Sequence, residues 1–157
     1  MREFSMTGFA AHLLEMAAAE ENALRAGLKK CAQAIEKTAR EEIGTYQPEV
    51  GPFNAWPALE DSTIKQHERM GAGDTPLLVT GELRDTLGYQ VEGNKAVIGS
   101  TSDLMVYQEL GTPTIPPRPV LGPAAISNKE LIEHTMGHAA AGMLYGAGAA
   151  WTDLEAK

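Results

Sequence analysis

The sequence predicts an α+β fold in which a long amino-terminal helix packs on a short antiparallel β-sheet, with additional short helices and a carboxy-terminal helix. Two observations carry this prediction. Apolar residues recur at helical spacing through residues 7–43, and two short runs of strand-forming residues flank the turn 92–94. A chain of 157 residues that is 43% hydrophobic and 22% charged suits one globular domain.

The long helix is expected over residues 7–43. Gly44 supplies its carboxy-terminal stop, and Pro48 prevents the helix from resuming. A helix of this length spans about 50 Å, which is longer than such a domain is wide. Part of it is therefore expected to pack on a neighbouring subunit. The apolar stripe consists of Leu24, Leu28, Cys31, Ile35 and Ala39.

The remaining elements are short. Residues 1–140 are expected to form a single domain, whose α+β core covers residues 55–140, and residues 141–157 a flexible Gly/Ala-rich tail. Thr80 is expected to cap a helix of one or two turns, and Ser127 to open the last helix. The other predicted elements are a helix at 61–69, a hairpin of strands 87–91 and 95–99, a helix at 103–110 and a proline-rich loop at 112–119.

Net charge and cysteine content argue against some classes of function. A formal net charge of −8 argues against sequence-specific binding of nucleic acid, which needs a basic patch. The acidity either serves solubility or repels DNA that passes nearby. Cys31 is the only cysteine, so no intramolecular disulfide is expected, and the chain is expected to be made in a reducing cytosol. No membrane segment or signal peptide is expected.

Five short segments follow one another between residues 55 and 122. Together they resemble the tail-completion and virion-morphogenesis proteins (minor tail and head–tail joining proteins) of long-tailed double-stranded DNA phages and prophages. The family pattern has Phe where this chain has Leu110 and Val120, and both replacements are apolar. The segments are Trp56-Pro57-Ala58-Leu59, Thr80-Gly81-Glu82-Leu83-Arg84, Val97-Ile98-Gly99-Ser100, Tyr107 to Thr112, and Pro116-Pro117-Arg118-Pro119-Val120-Leu121.

The resemblance implies a structural protein of the virion tail or neck, made in the cytoplasm of the bacterial host. Such a protein completes the head-proximal end of the tail and joins it to the head connector, usually as an oligomeric ring through which DNA passes. Its expected partners are further copies of itself, tail-tube proteins and head-connector proteins. The family has no catalytic residues to transfer, and no cofactor or metal is expected.

Arg118 is the first candidate interface residue. Pro116, Pro117 and Pro119 hold it on a stiff, extended stretch, which suits a guanidinium that contacts a carboxylate or carbonyls of another subunit. The alternative is that Arg118 braces its own fold, with Glu109 as a candidate partner. Trp56, which lies among prolines, is the second candidate: it is either a core anchor or an interface residue.

The sequence gives little support to an enzymatic function. His134 and His138 are four residues apart on a predicted helix, where they would point the same way, but the sequence suggests no third metal ligand. No nucleophile elbow, P-loop or dinucleotide fingerprint is present. Two alternatives to tail completion stay open: a head-side completion or adaptor protein of the neck, and a small prophage-encoded metal-dependent hydrolase.

Overall fold

The computed structural model describes residues 6–145 of the chain. In chain order the elements are α1 (Met6–Glu42), α2 (Asp61–Arg69), α3 (Glu82–Asp85), β1 (Leu87–Glu92), β2 (Lys95–Ser100), α4 (Asp103–Leu110), α5 (Leu121–Ser127) and α6 (Lys129–Tyr145). The fold is α+β, and the long helix, the antiparallel hairpin and the carboxy-terminal helix are all confirmed.

The first helix organises the fold. α1 runs without a break, and Gly44 follows it with φ +100°, a left-handed conformation that glycine adopts at little cost. The backbone N–H of Gly44 donates to the carbonyl of Pro76 at 2.9 Å, which fixes the chain at its exit from the helix. The hairpin, α5 and α6 all pack against α1.

The sheet has two strands in antiparallel register. Leu87 pairs with Ser100 at one end and Glu92 with Lys95 at the turn, where Gly93 has φ +54°. A two-stranded hairpin is marginally stable alone in water. Here Leu87 anchors it, because its side chain is only 3% exposed and enters the core beside α1.

The core lies where the carboxy-terminal half of α1 meets the hairpin, α4 and α5. Cys31, Ile35 and Ala39 of the predicted stripe are buried, whereas Leu24 and Leu28 are half-buried. The stripe is therefore confirmed, with its deepest part toward the end of the helix. The core cluster consists of Ile35, Ala39, Ile43, Trp56, Leu87, Met105, Val120 and Ala124.

Several local predictions were wrong. Gly81, with φ +86°, caps α3 in place of Thr80, whose hydroxyl accepts only a long 3.4 Å hydrogen bond from Glu82 N–H. Ser127 ends α5, a helix the sequence did not predict, and α6 begins at Lys129. α6 continues to Tyr145 and so overlaps the start of the predicted tail, whose flexibility stays a prediction; residues 146–157 lie outside the described residues.

Most side chains at the amino-terminal end of α1 are exposed. Every side chain from Phe9 to Glu15 is exposed, although three of them are large and apolar. Exposed fractions are 49% for Phe9, 48% for Leu13 and 73% for Leu14. We call residues 7–15 the α1 end. The sequence predicted that some part of α1 packs on another subunit, and that contact stays a prediction.

Candidate assembly site

Arg118 is buried inside its own domain. Its side chain is 6% exposed, and Nη2 donates to the carbonyls of Pro57 at 3.1 Å and Ala58 at 3.3 Å. Its backbone N–H donates to the carbonyl of Gln108 at 2.6 Å. All these contacts agree with the alternative in which Arg118 braces its own fold. The acceptors of its guanidinium are the carbonyl oxygens of Pro57 and Ala58, however, and not the suggested partner Glu109. An interface role for Arg118 stays a prediction.

Trp56 is a core residue that also ties two segments together. The ring is 5% exposed, and Nε1–H donates to the carbonyl of Pro119 at 3.0 Å. A buried indole needs such a partner because its N–H would otherwise lose its hydrogen bond to water. Of the prolines around Arg118, Pro119 is buried, whereas Pro116 and Pro117 are exposed and available for contact.

Glu109 holds the start of α5. Its Oε2 accepts the backbone N–H groups of Val120 at 2.7 Å and Leu121 at 3.3 Å, and its Oε1 accepts that of Gly122 at 3.2 Å. The first N–H groups of a helix have no partner within the helix, and a carboxylate there satisfies them and interacts favourably with the helix dipole. The carboxylate thus fixes α5 to α4.

Glu42 lies close to this carboxylate. It is the last residue of α1, its side chain is 7% exposed, and its Oε2 has no hydrogen-bond partner among the described residues. Burial, and secondarily the negative charge of Glu109, raise the pKa of Glu42 to about 7. A second full charge in this place is unfavourable, so Glu42 takes up a proton near neutral pH.

The outer side of α4 exposes apolar side chains. Met105 faces the core, and the N-cap Ser102 accepts a hydrogen bond from Leu104 N–H at 3.3 Å. Apolar side chains that lie together on a surface are typical of protein–protein contact. The exposed apolar residues of α4 are Leu104, Val106, Tyr107 and Leu110.

A groove runs beside α4. Its volume is about 750 Å³, and its walls come from α2, the stretch 77–86, α4 and the loop 114–118. Arg118 and Gln108 both line it, and each has a buried polar atom without a hydrogen-bond partner in the described structure: Arg118 Nε and Gln108 Oε1. Glu60 and Glu82, both exposed, also line it.

The histidine pair lies apart from this groove. His134 and His138 face each other on α6, with their Nε2 atoms 2.9 Å apart. The predicted common direction of the two rings is therefore confirmed. Within residues 6–145, no group of three or more histidine, cysteine, aspartate or glutamate side chains is arranged to hold a metal ion. No helix in that part of the chain is long and apolar enough to cross a membrane.

Comparisons with protein-family models, with curated proteins and with solved structures gave no match. The functional argument therefore depends on the chain's own residues.

Sequence reasoning selected Trp56 and Arg118 but missed the roles of Glu109 and Gln108. For α5, the helix whose first N–H groups Glu109 accepts, Pro123 was a sequence signal that could have been used. Proline is common in the first turn of a helix, where its missing N–H is not needed. The position of the Arg118 side chain depends on contacts with Pro57 and Ala58, about 60 residues earlier in the chain, which no local pattern reveals.

Proposed function

We propose that the protein is a tail-completion protein of a long-tailed phage or prophage. It forms a ring of subunits at the head-proximal end of the tail and joins the tail to the head connector. It acts by presenting surfaces to its partners and performs no catalysis. In the virion, DNA passes through the ring.

One observation carries the proposal. Three of the five segments whose order resembles the tail-completion family, those at residues 56–59, 107–112 and 116–121, are joined by hydrogen bonds. Trp56 binds Pro119, Arg118 binds Pro57 and Ala58, and Glu109 binds the chain that follows Pro119.

Two surface features support an assembly role. The α1 end and the outer side of α4 expose apolar side chains. Contact with another subunit would remove these side chains from water, which is favourable. Closed rings form when one surface of a subunit meets a different surface of the next copy. Two separate apolar surfaces meet that requirement. An adaptor on the head side of the neck would use the same features and is the second candidate.

Immunogold labelling of purified virions tests the location. Antibodies against the protein should label one position per particle, at the junction between tail and head. Label at the connector on tail-free heads would favour the head-side adaptor. Label elsewhere, or only on non-virion protein in the lysate, would contradict both neck roles.

A further inference from the structure

The two histidines of α6, His134 and His138, form a close pair. They are four residues apart, so their side chains are neighbours on one face of the helix. Their Nε2 atoms are 2.9 Å apart, and their ring centroids are 4.0 Å apart. At this distance one ring donates its Nε2–H and the other accepts, so the accepting imidazole is neutral. A neutral imidazole nitrogen is the form of histidine that binds metal ions.

The separation of the two nitrogens matches the spacing of neighbouring ligands on a metal ion. Imidazole nitrogens bind divalent transition metals at about 2.0–2.1 Å. Two such ligands at a right angle lie about 2.9 Å apart, whereas a tetrahedral angle would place them about 3.3 Å apart. The observed 2.9 Å therefore suits Cu²⁺ or Ni²⁺, which favour square or tetragonal sets of nitrogen and oxygen ligands.

The contact between α6 and α1 gives the pair a firm support. A Cβ at Gly27 of α1 would lie 3.4 Å from Thr135 Cγ2, so the two helices approach closely beside the pair. His138 also lines a cavity of about 460 Å³ between α1 and α6, where Ala23 and Ala139 leave room for its ring to turn. Rotation of the rings then directs both lone pairs toward one ion, while the helical backbone stays in place.

The charges around the pair do not oppose a cation. Glu130 is exposed and lies one turn before His134 on the same face of α6, so its negative charge favours a positive ion there. Two acids and two bases also lie near the pair, and their charges oppose each other: Glu133 with Lys129 on α6, and Glu20 with Lys30 on α1.

We propose that His134 and His138 together chelate one divalent transition-metal ion, with Cu²⁺ and Ni²⁺ as the best-fitting ions. Water fills the other coordination positions, since no third metal-binding side chain is placed beside the pair within residues 6–145. The ion bridges one turn of α6 and stabilises the folded helix, because the helix holds the two rings together. A chelate of two ligands does not need the third ligand that the sequence failed to show. The site goes beyond the proposed assembly role and does not depend on it.

Calorimetric titration of Ni²⁺ into the untagged full-length protein tests this site. At a pH of about 7.5, where an ordinary imidazole is neutral, one ion should bind per chain. His134→Gln and His138→Gln should each weaken the affinity by roughly tenfold or more, because the advantage of two linked ligands is lost. His12→Gln is the matched control and should bind Ni²⁺ as the unmodified protein does, since His12 lies on α1.

A further variant keeps the number of histidines and changes only their spacing. His138→Gln combined with Ala140→His moves one imidazole to an exposed position on a different face of α6. This variant should bind Ni²⁺ as weakly as His138→Gln alone. Affinity restored to that of the unmodified protein would overturn the proposal, because single surface histidines would then account for binding. Absence of binding by the unmodified protein, or binding that survives both single substitutions, would overturn it as well.

Electron paramagnetic resonance of the protein with one equivalent of Cu²⁺ counts the ligands directly. The unmodified protein should show two imidazole nitrogens on the copper, and each single variant should show one. Circular dichroism of the variants checks that α6 keeps its helical structure. A spectrum with one nitrogen ligand in the unmodified protein would contradict the chelate even if copper binds.

Discussion

Arg118 Nη2 lies 3.1 Å from the carbonyl oxygen of Pro57, a residue 61 positions earlier in the chain. This hydrogen bond joins the first and last segments of the family-like pattern from inside the domain. A residue that the sequence presents as a contact for other subunits is thus first a brace for its own fold, and the consequences for stability are measurable.

Arg118→Ala should destabilise the isolated domain by about 2–4 kcal/mol, because two carbonyls lose a charged donor and a buried side chain is removed. Urea unfolding followed by circular dichroism measures the change. The control is Arg84→Ala, since Arg84 is 44% exposed and its contact with Asp85 at 3.7 Å is a surface ion pair of little worth. Equal effects of the two substitutions would contradict the brace.

Trp56→Phe should cost about 1–2 kcal/mol, because the variant keeps an aromatic ring in the core but leaves the Pro119 carbonyl without its donor. Trp56→Ala should cost more, about 3–5 kcal/mol, since it also leaves a cavity. Thermal and urea unfolding of both variants give the comparison. If Trp56→Ala unfolded like the unmodified protein and only weakened oligomerisation, the interface interpretation of Trp56 would be correct.

Glu42 should make stability depend on pH. Its pKa is about 7 in the folded protein against 4.5 as the ordinary value, so folding favours the protonated form. This contribution is fully present below pH 4.5 and is lost as the pH rises through 7. Relative to the unmodified protein, Glu42→Gln should therefore gain stability between pH 5 and 8, by an amount on the order of 3 kcal/mol.

Urea unfolding at a series of pH values measures this difference. Glu109→Gln serves as the coupling control, because it removes the nearby charge and should move the pH dependence of Glu42 to lower pH while burial keeps part of the shift. A stability difference between Glu42→Gln and the unmodified protein that stays constant with pH would show that Glu42 titrates normally.

Gly122→Ala should disturb the contact between α5 and the loop before Trp56. A Cβ at Gly122 would lie 2.2 Å from Phe53 Cζ, which is far inside van der Waals contact. We expect a loss of about 1–3 kcal/mol, the usual range for overpacking. The double variant Gly122→Ala/Phe53→Leu should recover part of it. No loss in the single variant would mean that the half-buried Phe53 ring moves aside freely.

The sequence predicted the elements that local patterns determine. The stripe that ends in Ile35 and Ala39 identified α1. The turn at Gly93 placed the hairpin, and each strand is one residue longer at its carboxy-terminal end than predicted. α5 was missed because Gly122 is unfavourable in a helix and because the start of α5 depends on Glu109, more than ten residues earlier in the chain.

The candidate site was predicted less well, for a physical reason. Local sequence showed that prolines stiffen the chain around Arg118, but not which way its side chain points. Its direction follows from the carbonyls of Pro57 and Ala58, which only the folded chain brings near. Helix length alone led to the expectation that part of α1 packs on another subunit, and that contact stays a prediction.

Deletion of the gene from the phage or prophage that encodes it tests the central claim most directly. Electron microscopy of the induced lysate should show DNA-filled heads and separate tails, and expression of the protein from a plasmid should restore joined particles. Lysates in which intact, infectious virions form without the protein would contradict the account.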